Sequence, residues 1–119
     1  FPYVAAQIHP ARPVGIDLEK LRPKLYEVVK RVLSDSELLN AGNDLRKLCV
    51  YWSAKESLLK ISGFKNLIYS KDIKIEPFDL SAAGTITGRI RHNDLFQTFL
   101  LNYLTKLFYL FQNFVYCLL

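Results

Sequence analysis

A few residues of this 119-residue chain have the types and spacing to act together. In VGIDLE, residues 14–19, strand alternation would put Gly15, Asp17 and Glu19 on one face and Val14, Ile16 and Leu18 on the other. In LRKLCVYWSAKESLLKIS, residues 45–62, helical spacing aligns Ser53, Glu56 and Lys60 in a polar stripe, with Trp52 one turn before Glu56. A buried Glu is costly unless it is paired or bound to a metal. Lys60 could simply pair with Glu56, for about 0.3–0.5 kcal/mol at an exposed site. If Asp17, Glu19 and Glu56 come together, however, three carboxylates repel unless a cation lies among them. Hard oxygen ligands with open positions suit Mg2+, which keeps waters and reaches phosphate oxygens. Gly15, on the same face as the acids, leaves room for a ligand to approach.

The elements that must position these residues are legible in outline. Residues 3–9, a PARP turn and VGIDLE predict a hairpin whose second strand carries the acids. Pro23 suits a first helical turn, and Leu25, Val28, Val29 and Val32 then recur at helical spacing among Lys and Arg, predicting a short amphipathic helix. Ser34-Asp35-Ser36-Glu37 matches a capping box, so a further helix starts there and stops at Ala41-Gly42-Asn43. Asn43 or Asp44 caps the long helix, and Gly63 ends it. That helix is apolar around most of its girth, which predicts burial. DIKIEP and TITGRI, separated by turn residues 81–84, predict antiparallel strands. Residues 95–119 carry a single charge, Lys106, and are long enough for a membrane helix, but their aromatic and branched content and the polar Gln97, Asn102, Gln112 and Asn113 favour two core strands. The fold class expected is α+β, an antiparallel sheet packed against one long buried helix and a shorter amphipathic one.

The bulk composition limits the possibilities without choosing among them. Half the residues are apolar, enough for one domain with a real core. Sixteen Lys and Arg against eleven Asp and Glu give +5, which admits an acidic partner of any kind, from nucleic acid or anionic membrane to a phosphorylated ligand or an acidic protein. Cys49 and Cys117, with no CxxC and no His at zinc-finger spacing, argue against a disulfide framework or structural zinc and for buried thiols in a reducing compartment. Phe1-Pro2-Tyr3 reads as the inside of a strand, so the expectation is a piece of a longer chain.

The strand VGIDLE, the SDSELL segment and the helix WSAKESLLK, in that order and at this separation, resemble the signature of phosphopantetheinyl transferases, specifically the C-terminal half of the Sfp-type enzymes. The family pattern is an apolar-Gly-apolar-Asp-apolar-Glu strand followed by a Trp/Phe-x-x-Lys-Glu-Ala/Ser-x-x-Lys helix; either piece is weak alone and the two together are specific. The resemblance covers residues 1–118 and implies one transferase-like domain over residues 1–119, half of a longer two-half enzyme.

That resemblance implies transfer of the 4'-phosphopantetheine arm of coenzyme A to a serine of an acyl or peptidyl carrier protein, leaving adenosine 3',5'-bisphosphate; the alternative is an inactive half-domain remnant or a non-catalytic module that binds coenzyme A or a carrier protein. Position by position, Asp17, Glu19 and Glu56 match the ligands of Mg2+, or Mn2+. Glu56 matches the base for the carrier serine, while Lys55 and Lys60 match the motif lysines that neutralise phosphate charge, and Lys60 thereby shares in catalysis. Trp52 is assigned to packing. The expected location is the cytoplasm, without membrane or nucleic-acid partners. The family's N-terminal Ser-His-Ser segment is not in this sequence; His9 and His92 are read as turn and loop residues instead. Because single-unit members of the superfamily work as oligomers, self-association through the apolar tail is also expected, and sedimentation as a clean monomer at high concentration would contradict it.

Overall fold

The computed structural model describes residues 16–105 and 114–118. The expected first strand over residues 3–9, the turn with His9, Gly15 and the stretch 106–113 lie outside the described residues.

Among the described residues, five antiparallel strands form one sheet in the order β1-β5-β4-β3-β2. They are β1 (Ile16–Lys20), β2 (Ile73–Ile75), β3 (Ala83–His92), β4 (Leu95–Leu104) and β5 (Phe114–Leu118). Among the same described residues, four helices accompany them: α1 (Leu25–Val32), α2 (Asp35–Ala41), α3 (Leu45–Ser62) and the single turn α4 (Tyr69–Asp72). The α+β expectation holds, and the apolar tail is sheet in its described parts. No described helix is long and apolar enough to cross a membrane.

Local chemistry sets the helix boundaries. Ser34 and Glu37 form the reciprocal capping box, each side chain accepting from the other's backbone N–H. Asp44 caps α3 by accepting from the amides of Arg46 and Lys47. Gly63 closes α3 at φ 66°, a left-handed position where a Cβ would be strained. The strand β3 starts at Ala83, so Ala83 and Gly84 belong to it rather than to the preceding turn. It reverses into β4 through Asn93 and Asp94, both at positive φ, the two-residue turn whose twist suits a hairpin. His92 therefore ends a strand instead of sitting in a loop, and its ring stacks on Phe64 with centroids 3.9 Å apart.

The core lies between α3 and the sheet. Leu48, Val50, Tyr51, Ala54 and Leu58 of α3 are buried, as are Ile73 and Ile75 of β2, Ile86 and Ile90 of β3, and Leu101 and Tyr103 of β4. Cys49 is fully buried, as its apolar setting suggests. At Gly88 the strand passes so close beneath the helix that an added Cβ would lie 2.6 Å from a Leu58 methyl. The alternation of β4 places Phe96 and Leu100 on the opposite face of the sheet, where both are exposed.

Candidate active site

β1 and the middle of α3 meet at one end of this core. Asp17 is buried under α3, with the Ser53 hydroxyl donating to its backbone carbonyl at 3.4 Å. Its side-chain Oδ1 accepts from Lys60 Nζ at 2.8 Å, while Oδ2 is buried without a hydrogen-bond partner. Lys60 thus crosses to the strand, while it also feels the charge of Glu56 one turn back along the helix. Burial pulls the Lys60 ammonium down, but the hydrogen bond and charge of Asp17, with Glu56 and Glu19 beyond, outweigh it and hold the group above the ordinary lysine value.

Glu19, two residues along β1, feels the same field from the other side. Burial first, then the neighbouring Asp17 carboxylate and the charge of Glu56, push Glu19 up to about 8, against a hydrogen bond from the Trp52 side chain that favours the charged form. Glu56, half-buried on α3, accepts from the Tyr69 hydroxyl at 2.9 Å through Oε1. That phenol is held above its usual range by burial and by Glu56. Asp17, Glu19, Glu56 and Lys60 therefore do come together, with Trp52 and Tyr69 added to them. Trp52 packs against the core as expected, and its indole also reaches the site.

Lys55 stands apart from this group. On α3 it points about 100° away from Glu56 around the helix axis, into a fully buried position where its ammonium donates to Glu37 Oε1 at 2.7 Å and to the carbonyls of Val32 and Tyr69 at 2.8 Å each. Burial lowers its pKa, and Glu37 opposes the shift. All three of its donors are used inside the fold, in an ion pair with Glu37 and two carbonyl contacts, whereas the resemblance implies a contact of Lys55 with coenzyme A phosphate. The Glu37 carboxylate, beyond its capping role, also accepts from the Ile75 amide at 2.8 Å and so binds the outer edge of β2.

A model of the 4'-phosphopantetheinyl transferase superfamily matches residues 13–117. The chain belongs to that superfamily. The match covers β1 and α3 and runs into β5, so the acidic strand and the Lys-Glu helix lie inside it. No curated protein was found to match the chain. Membership in the phosphopantetheinyl transferases brings with it phosphopantetheine transfer in general, and coenzyme A, a divalent metal and carrier proteins as the participants usual for the superfamily.

The transferase's acids can be tested against such a metal on their own chemistry. Among the described residues, no three carboxylate, imidazole or thiol groups form a ready-made ligand cluster, and Oδ1 of Asp17 and Oε1 of Glu56 are engaged by Lys60 and Tyr69. Yet the buried Oδ2 of Asp17 has no hydrogen-bond partner, and Glu19 is held above the usual carboxylate range by burial first and then by Asp17 and Glu56. A hard divalent cation would satisfy both features, so the residues present fit one.

Sequence spacing found the acids and Lys60 but missed two participants. Tyr69 lies beyond the end of α3, at no helical spacing from Glu56, and nothing in its local sequence signals the contact. Glu37 was legible as half of a capping box but not as the partner of Lys55.

Proposed function

We propose that this chain transfers 4'-phosphopantetheine from coenzyme A to the serine hydroxyl of an acyl or peptidyl carrier protein, with Mg2+ or Mn2+ held by Asp17, Glu19 and Glu56. The observation that carries this reading is the meeting of three carboxylates and one half-exposed lysine at the contact of β1 and α3, with an orphaned buried oxygen on Asp17. Bound there, a divalent cation would neutralise the pyrophosphate of coenzyme A and orient it.

The remaining work falls to this chain's side chains. Glu56 is the base: it takes the serine proton, directly or through a water, as the serine oxygen bonds to the phosphorus bearing the pantetheine arm. The phosphorus–oxygen bond to adenosine 3',5'-bisphosphate breaks in the same displacement. Lys60, charged and half-exposed at the mouth of the site, offsets the negative charge on the leaving phosphate. Lys55 keeps α3 in register through Glu37 instead of touching substrate. A partner rich in acidic residues suits the net +5. The exposed Phe96 and Leu100 support self-association of two or more copies.

Replacing Glu56 by Gln tests the assignment. Transfer should be lost, with the far-ultraviolet circular dichroism and unfolding midpoint nearly unchanged; turnover retained by the variant would remove Glu56 from the base's role.

A further inference from the structure

Two of the three acids at the site have a hydrogen-bond donor from a different part of the chain. Asp17 accepts from Lys60 and Glu56 from Tyr69. Tyr69 is in turn joined to Trp52, because their rings stack at a centroid distance of 5.8 Å and 28° between planes. Tyr69 is fixed at its other end as well, its backbone carbonyl accepting from the buried Lys55 ammonium at 2.8 Å. A glutamate on a helix otherwise samples several rotamers, and ordering it costs conformational entropy. A phenol locked by a stack and a backbone contact supplies that order in advance.

We infer that Tyr69, braced by its stack on Trp52 and by the Lys55 contact to its carbonyl, is a positioning residue that holds the Glu56 carboxylate by Oε1 and leaves Oε2 for the metal and the substrate serine. This rests on the functional reading above and adds to it a residue outside the strand and helix motifs. A partner hydrogen-bonded to a metal-binding carboxylate sets its orientation, and its loss lowers metal affinity about 10- to 100-fold. A Tyr hydroxyl that merely satisfied itself on a nearby oxygen would leave metal affinity alone.

The test is Tyr69→Phe in the full 119-residue chain, which keeps the ring and its stack and removes only the donor. Binding of Mn2+ alone is followed by the loss of the free-ion electron paramagnetic resonance signal, and the unfolding midpoint in EDTA is recorded beside it. The expected result is an Mn2+ affinity weakened about tenfold or more, with the EDTA midpoint held. A double-mutant cycle with Glu56→Gln guards against a general structural effect: in the Glu56→Gln background, Tyr69→Phe should change affinity no further. Equal Mn2+ affinity for wild type and Tyr69→Phe, or an undiminished effect of Tyr69→Phe in the Glu56→Gln background, overturns the positioning role while leaving the transferase reading in place. Absence of Mn2+ binding by the wild-type chain overturns both.

Discussion

Glu37→Gln isolates the part of the fold on which the reassignment of Lys55 rests. The Glu37 carboxylate accepts three bonds, from the Ser34 amide at 2.7 Å, Lys55 Nζ at 2.7 Å and the Ile75 amide at 2.8 Å, and the residue is only 3% exposed. Gln has one acceptor oxygen in place of two. Whichever way its amide turns, the NH2 group faces a donor, the Ile75 amide on one side or the Ser34 amide and Lys55 ammonium on the other. Lys55 also loses the one charge that opposes its desolvation, so it sheds its proton or stays buried and uncompensated. Breaking a buried pair in this way costs about 3–5 kcal/mol, against a total of about 5–15 kcal/mol for an ordinary domain. For a chain of this size that corresponds to a fall of roughly 10–20 °C in the unfolding midpoint. Urea unfolding followed by circular dichroism reads the loss directly. A Glu37→Gln protein within about 1 kcal/mol of wild type would refute the reasoning and return Lys55 to the phosphate site.

Two further outcomes follow from the same geometry. Glu19 is raised in the fold from 4.5 to about 8, so between those values the native state holds a proton that the unfolded chain has released. Its contribution to stability is thus present below about pH 4.5 and is lost as pH rises towards 8; thermal midpoints measured in EDTA should show this decline, Glu19→Gln should flatten it, and an identical slope in the variant would contradict it. Gly88→Ala would drive a Cβ against the fully buried Leu58 and should destabilise by about 1–3 kcal/mol in a denaturant titration, whereas a neutral result would mean that α3 can lift from β3 at little cost.

What could be read from the chain divides by the range of the interaction. The capping box at Ser34 and Glu37, the Asp44 cap and the Gly63 stop are set by neighbours within a few residues, and each stands where the sequence indicates. The burial of α3 followed from its apolar girth, and the register of Asp17 with Glu19 from strand alternation. The partners of the long side chains were not legible, because a lysine's sequence position fixes only where its stem starts. Lys60 reaches 43 residues back to Asp17, Lys55 reaches 18 back to Glu37, and Tyr69 turns 13 back to Glu56. The β3–β4 hairpin escaped notice for another reason: its turn is Asn93-Asp94, without the glycine that usually marks two consecutive positive φ values.

The central claim is that this chain carries out metal-dependent phosphopantetheine transfer, and the intact mass of an apo carrier protein tests it most directly. After incubation with the 119-residue chain, coenzyme A and Mg2+, the carrier should gain one phosphopantetheine per molecule, and EDTA should prevent the gain. A carrier of unchanged mass, or one modified equally in EDTA, would contradict the account.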